Sequence, residues 1–432
     1  MEIIEDPKKE QWSELLKRPG FDAEYLEKAV EDIFFAVKRN GNQALLDFTR
    51  TFDGVQLDSL KVSEKEIEQA AQIIDSDLKQ AIEHAASNIL KFHSAQQCQM
   101  VKTETTPGVF CWQKPVPIQR VGLYIPGGTA PLFSSVLMLA IPAGIAGCKE
   151  IVICTPPGKD GKVNPAILFA ARVSGVKEIY KIGGAQAVAA MAFGTEDIAP
   201  VYKIFGPGNQ FVTAAKQAVQ KMGIAIDLPA GPSEVLVMAD DTAHPGFVAS
   251  DLLAQAEHGP DSQVILLSNN RETATETIDA MREQMNDLPR KEVVEKSLES
   301  CKIIVMNDIG EMIDMVNEYA PEHLIISMNQ SHEIAEKIVN AGSVFLGHYT
   351  PESAGDYASG TNHTLPTNGF AKAYSGVSLD SFVKKITFQE ITPEGLSRLS
   401  KTLTVMSEAE NLRGHTQAVS IRMDHFSKQK TE

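Results

Sequence analysis

From Pro117 to Gly347, short apolar runs rich in Val and Ile alternate with stretches of helical period. The first series opens with PIQRVGLYIPGG, a strand running into a glycine turn, and a helix from Pro131 to Gly147. EIVIC, EIYKI and VYKIF follow as strands, interleaved with the helices NPAILFAARVSG and GGAQAVAAMAFG and closed by FVTAAKQAVQKMG. GCKEI at 147–151 recurs as GVKEI at 175–179, close to the roughly 30 residues of one strand–helix–strand unit. A second series offers EVLVMAD, QVILLS, KIIVM, HLIISM and GSVFLG as strands between helical patterns. Alternation of this kind implies parallel strands joined by crossover helices. Two series of similar size imply two related sheets rather than one very large one.

The flanks differ. Residues 1–100 read as helical: FDAEYLEKAVEDIFFAVKRN is amphipathic and ends at Gly41, and Ser63 with Glu66 forms a capping box opening a long helical stretch to about Phe92. From Asp380 the chain reads as a mostly helical tail, too short for a core of its own, that docks on the main body or on a partner chain. With 432 residues, about two to four domains are expected.

Composition excludes several partners. The net charge of −16 repels phosphate backbones, so nucleic acid is not expected. Cys98, Cys111, Cys148, Cys154 and Cys301 are scattered and form no CxxC pair, which points to a reducing, cytoplasmic setting and away from a thiolate metal site. Cys148 and Cys154 flank an apolar run and read as buried thiols. MEIIEDPKKE lacks the basic and apolar regions of an export signal. Val121 to Cys148 is uncharged, but Pro126, Pro131, Pro142 and five glycines break it below the ~20 residues of a membrane span.

Chemistry should sit where strands end. Three glycine turns follow strand candidates: Ile125-Pro126-Gly127-Gly128, Gly183-Gly184-Ala185-Gln186 and Gly206-Pro207-Gly208-Asn209. Turns at the carboxyl ends of parallel strands bind ligands, and glycine lets backbone N–H groups approach a phosphate. GPGNQF is not the dinucleotide fingerprint, because Phe211 stands where its third glycine belongs.

Among the histidines, His84, His93, His332 and His425 lie in polar helical contexts that suit the surface. His258, His323, His363 and His415 lie at element ends rich in Gly, Pro and Asn. In DLLAQAEHGPDSQ, a helix would carry Gln255 and His258 on one face before Gly259 and Pro260 end it. Such a pair can hold a metal, or can be simply a helix surface and its end. Glu322 and His323 can share a site only at an element boundary, which Pro321 supplies. A carboxylate beside an imidazole then offers two bases of different pKa; the alternative is a helix-start Glu and a packed His. Asp356 lies in the polar stretch ESAGDYASGTNHTLPT with His363. Gln255, His258, Asp356 and His415 would make a two-nitrogen, two-oxygen set suited to zinc, with manganese or cobalt as possible substitutes. Spacing alone does not select that quartet.

LYIPGGTAPLFSSVLM, FGPGNQFV, DLPAGPSEVLV, DLLAQAEHGPDSQ, APEHL, DYASGTNHTLPT and ENLRGH occur in this order, and together they closely resemble the histidinol dehydrogenase family. The match runs from about Val121 to His415. The resemblance implies oxidation of L-histidinol to L-histidine via histidinal, the last steps of histidine biosynthesis, with two NAD and one zinc ion per subunit. It implies zinc ligands at Gln255, His258, Asp356 and His415, and catalytic bases at Glu322 and His323. Substrate contacts fall on Ser233, His363 and Glu410, with Gln255, His258, His323, Asp356 and His415 also at the substrate. NAD contacts fall on Tyr124, Gln186 and Asn209. A homodimer is implied, with His415 donated across subunits.

The expected fold class is α/β: two Rossmann-like parallel-sheet domains, a helical N-terminal domain and a small helical C-terminal tail. Residues 22–105 would form the helical support and 121–233 the NAD-side domain. Residues 1–21 with 106–120 and 234–380 would form the domain of the metal and catalytic residues, and 381–432 the tail. Three rival readings stay open from the residues alone: a zinc dehydrogenase of another amino alcohol, a metal-dependent hydrolase or deaminase, and a non-catalytic α/β scaffold with coincidental polar loops.

Overall fold

The computed structural model describes residues 1–18, 23–127, 131–229 and 231–429. Strands are numbered in chain order. β1 is Ile3–Glu5, β2 Lys102–Thr106, β3 Val109–Pro117, β4 Arg120–Tyr124 and β5 Glu150–Thr155. β6 is Glu178–Lys181, β7 Lys203–Phe205, β8 Ala225–Ile226, β9 Glu234–Ala239 and β10 Gln263–Ser268. β11 is Lys302–Val305, β12 His323–Ser327, β13 Ser343–Leu346 and β14 Val383–Ile391.

One compact unit comprises residues 1–96 and 118–382. It holds two parallel sheets, ordered β6-β5-β4-β7-β8 and β1-β11-β10-β9-β12-β13. The alternation in the sequence thus becomes an α/β fold with two parallel sheets. β9 and β10 are buried at every position, which is why they read as unbroken apolar runs rather than alternating ones. Val121 to Cys148 forms β4 and the buried helix Phe133–Ala146. Among the described residues no helix is long and apolar enough to cross a membrane.

The N-terminal helices cover both faces of the five-stranded sheet. Ile82, Ala86 and Ile89 pack with Val121, Leu123 and Ile153 on one face, and Val30, Phe34 and Leu45 with Val152, Met191 and Ile204 on the other. Each such fully buried aliphatic side chain contributes about 1.5–3 kcal/mol. The helix Ala23–Phe48 breaks at Gly41, where φ is 51° and Glu196 fills the space a Cβ would need. Ser63 and Glu66 do form a capping box. The helix they open is shorter than the sequence suggests: Ile74 turns extended, Asp75 caps a new start, and Ser76–Ser94 is a second helix. His93, expected at the surface, is fully buried with Nδ1 3.0 Å from Gln96 Oε1.

The second unit comprises residues 97–117 and 383–432. Its sheet, β14-β3-β2, is antiparallel. The tail therefore opens with a nine-residue strand before its helices Pro393–Ala409 and Arg413–Gln429. β14, VKKITFQEI, carries β-branched and aromatic residues in alternation at Ile386 and Phe388, and it pairs along β3, from Val383 opposite Pro117 to Ile391 opposite Val109.

Candidate active site

Two polar regions stand out in the larger unit. The first is a cleft of about 1300 Å³ at the carboxyl ends of the five-stranded sheet, larger than the ~300–1,000 Å³ of most small-molecule pockets. Tyr124 at the end of β4, Gln186 in the first turn of the helix Gly184–Phe193 and Asn209 before the helix Gln210–Gln220 all line it. The three glycine turns thus meet, as strand-end turns of one parallel sheet should; Gly128 lies outside the described residues. The Asn209 side-chain oxygen accepts from the Phe211 and Val212 N–H groups, so its amide nitrogen remains to donate. The Tyr124 hydroxyl accepts from Gly184 N–H at 3.2 Å. Gly206 has φ 126°, and a Cβ there would overlap the Tyr124 carbonyl oxygen. Lys216 donates to the Gly206 carbonyl and pairs with Asp227, whose carboxylate accepts from Gly206 N–H.

The second region lies at the amino edge of the six-stranded sheet. Ala320 in left-handed conformation and Pro321 make the boundary the sequence requires, and β12 starts at His323. Glu322 and His323 consequently converge: His323 Nδ1 is 3.8 Å from Glu322 Oε2, and both side chains are buried. The helix Pro245–Ala256 ends earlier than the spacing suggests. Gln255 is in its last turn, while His258 stands in the turn beyond, at the exposed rim. Asp356 is not in a loop but in the short helix Glu352–Tyr357, which brings Glu352 and Asp356 four residues apart to the same cluster. Donor atoms of His258, Glu352 and Asp356 lie within 4.8 Å of one another. His323 Nε2 is 3.5 Å from Asp356 Oδ1, in ion-pair range without a hydrogen bond.

His363 Nδ1 lies 2.9 Å from the Asp356 carbonyl and Nε2 3.0 Å from Ser135 Oγ. A carbonyl only accepts, so the hydrogen sits on Nδ1. Ser233 immediately precedes β9. Glu410 and His415 belong to the second unit, where both are exposed.

Charge in the cluster is unbalanced. Burial pushes the Glu322 carboxyl up to about 8 and Glu352 well above the carboxylate range, in each case against the pull of His323. For His323, burial alone would lower the pKa, but Glu352, Glu322 and Asp356 raise it to about 10. Asp356 is held below its usual value: the His323 contact and the neighbouring imidazoles outweigh its burial. Burial lowers His363. Both polar atoms of the Gln255 amide, Glu352 Oε2 and His323 Nε2 are buried without a hydrogen-bond partner. Buried polar atoms are normally satisfied. Crowded carboxylates, a neutral imidazole and an orphaned amide oxygen fit a divalent cation with oxygen and nitrogen ligands.

Sequence reasoning missed Glu352. Its one signal was its place four residues before Asp356. It also missed Asp251, one turn before Gln255, whose carboxyl burial pushes up to about 6.

The family model for histidinol dehydrogenase matches residues 16–423. The histidinol dehydrogenase of Bacteroides fragilis is 56% identical over 428 residues, covering 99% of this chain and 100% of that one. That of Escherichia coli is 49% identical over 423 residues, covering 97% and 96%. The crystal structure of histidinol dehydrogenase from Elizabethkingia anophelis superposes with a TM-score of 0.97 at 52% identity, covering 99% of both chains.

Proposed function

The chain belongs to the histidinol dehydrogenase family, and on that premise we propose that it oxidises L-histidinol through histidinal to L-histidine, reducing two NAD per substrate, with one zinc ion per subunit. The observation that carries this reading is the convergence of Glu322 and His323 with His258, Glu352 and Asp356 in one cluster, buried except for His258 at its rim.

Gln255, His258 and Asp356 would hold the metal, with the partner subunit's His415 as a further ligand. Bound there, zinc would grip the amine and imidazole of the substrate, orient its alcohol carbon and offset the carboxylate field on His323. Tyr124, Gln186 and Asn209 would bind NAD, which accepts a hydride in each oxidation. Ser233, His363 and Glu410 would contact substrate.

In the first oxidation His323 takes the alcohol proton as hydride leaves the carbinol carbon. Glu322 then removes a proton from water as the water oxygen adds to the aldehyde carbon, and protonated His323 returns its proton to the former carbonyl oxygen, which gives the gem-diol and leaves His323 free to act as a base again. His323 next takes a diol proton as the second hydride leaves, and the acid forms. Burial of both bases keeps bulk water from the aldehyde. We further propose a homodimer working in the cytoplasm.

The test is NADH formation on adding histidinol and NAD, with and without a chelator. Two NADH per histidinol, lost on chelation and restored by zinc, is the expected result. One NADH per histidinol removes the second oxidation, and none favours the hydrolase alternative.

A further inference from the structure

Glu234 is a buried carboxylate that the chemistry above does not use; its side chain is 2% exposed. It opens β9, beside the start of β12. The Arg18 guanidinium grips it as a fork, with Nε 2.6 Å from Oε1 and Nη2 2.9 Å from Oε2. The same Nη2 donates to the Tyr319 carbonyl at 2.7 Å, and the guanidinium lies 3.9 Å over the Tyr319 ring. Asn368 N–H adds a third donor to Oε1 at 2.7 Å.

The backbone of Glu234 faces the other way. Its N–H donates to Glu322 Oε2 at 2.8 Å, and its carbonyl lies 3.3 Å from His323 Nδ1. One residue's peptide groups therefore touch both proposed bases. The carbonyl can only accept, so Nδ1 of His323 carries the hydrogen and Nε2 is left to accept a proton. A buried ion pair is weak evidence for stability, since packed apolar side chains hold a strand end as well. What a planar fork adds is a fixed orientation.

We propose that Arg18 and Glu234 are positioning residues for Glu322 and His323: the fork locks the first residue of β9, and that residue's N–H and carbonyl aim the two bases. The proposal rests on the reading of Glu322 and His323 as the bases.

Arg18→Lys keeps the charge and loses the fork. Arg18→Met with Glu234→Gln removes both charges, so no buried carboxylate is stranded. In both, bound metal and KM for NAD should match the parent while kcat per metal-loaded site falls about 10- to 100-fold, the scale of a small misplacement of reacting groups. Oxidation of supplied histidinal should fall alike. The ¹⁵N resonances of the His323 ring should show Nδ1–H in the parent and a mixture of tautomers in the double variant. Parental kcat in Arg18→Lys overturns the proposal whether or not the double variant folds. So does a kcat loss explained entirely by lost metal, or a parental ring without the Nδ1 hydrogen. If the parent makes no NADH from histidinol, it is the proposed function that fails, and the tautomer measurement still judges the placement.

Discussion

Glu352 is 1% exposed, and one of its carboxylate oxygens has no hydrogen-bond partner. An acid so placed is costly to ionise unless a positive charge lies beside it. Its neighbours His258 and Asp356 are themselves candidate ligands. Glu352→Gln should therefore weaken zinc binding by about 10- to 100-fold in a competition assay, the usual effect of a group that supports the ligands. An unchanged affinity would place Glu352 outside the metal's field. The cysteines make a second residue-level case. Burial pushes Cys148 up to about 11 and Cys154 to about 12, while Cys98 is exposed. The thiolate is the reactive form. At about pH 8 an alkylating reagent should label Cys98 in the native protein and reach Cys148 and Cys154 only after unfolding. Native labelling of Cys154, detected by mass spectrometry, would mean that the β5 core opens.

At the level of elements, the two sheets present chemistry at opposite ends. The cleft lies at the carboxyl ends of the five-stranded sheet, where parallel sheets bind ligands. The six-stranded sheet has its switch point between β9 and β12, because the chain runs outward from β9 through β10 and β11 and then returns to β12. Asp240 ties that carboxyl-side crevice together by accepting from Thr242 N–H and Asn329 N–H. The ionisable cluster sits instead at the amino ends, where Glu234 and His323 begin their strands. The Gly206 turn shows how tightly the cleft is built. Gly206→Ala meets the Tyr124 carbonyl in a conformation that side chains rarely adopt. It should cost about 2–4 kcal/mol in denaturant unfolding and weaken NAD binding, because Asn209 follows. Gly175→Ala, at φ 77° in the ordinary left-handed region with open space around it, should cost only about 1 kcal/mol. Equal costs at the two sites would deny the close approach at Gly206.

At the scale of the whole molecule, Glu410 and His415 are carried by the second unit. The helix Arg413–Gln429, which carries His415, has no buried residue, and Val405, Met406, Leu412 and Ile421 are exposed. Apolar helix surface of this kind is covered when subunits associate. If His415 completes the partner's site, His415→Ala chains mixed with Asp356→Ala chains form heterodimers with one intact site. About a quarter of parental activity should then return in an equal mixture of randomly paired chains. Verified heterodimers without activity would make each site self-contained.

The strand–helix alternation, the capping box at Ser63 and the three glycine turns were legible in the sequence, because each is decided within a few residues by side-chain period, hydrogen-bonding reach or allowed φ. The Pro321 boundary was legible for the same reason, and with it the meeting of Glu322 and His323. The family resemblance came from long motifs, whereas spacing alone never chose the ligands. Only the tertiary structure could show that β14 pairs with β3, that His93 is buried, and that Glu352 joins His258 and Asp356. Arg18 reaching Glu234 across 216 residues belongs with these. Such contacts depend on which surfaces meet after folding, and no local period or propensity encodes a partner hundreds of residues away.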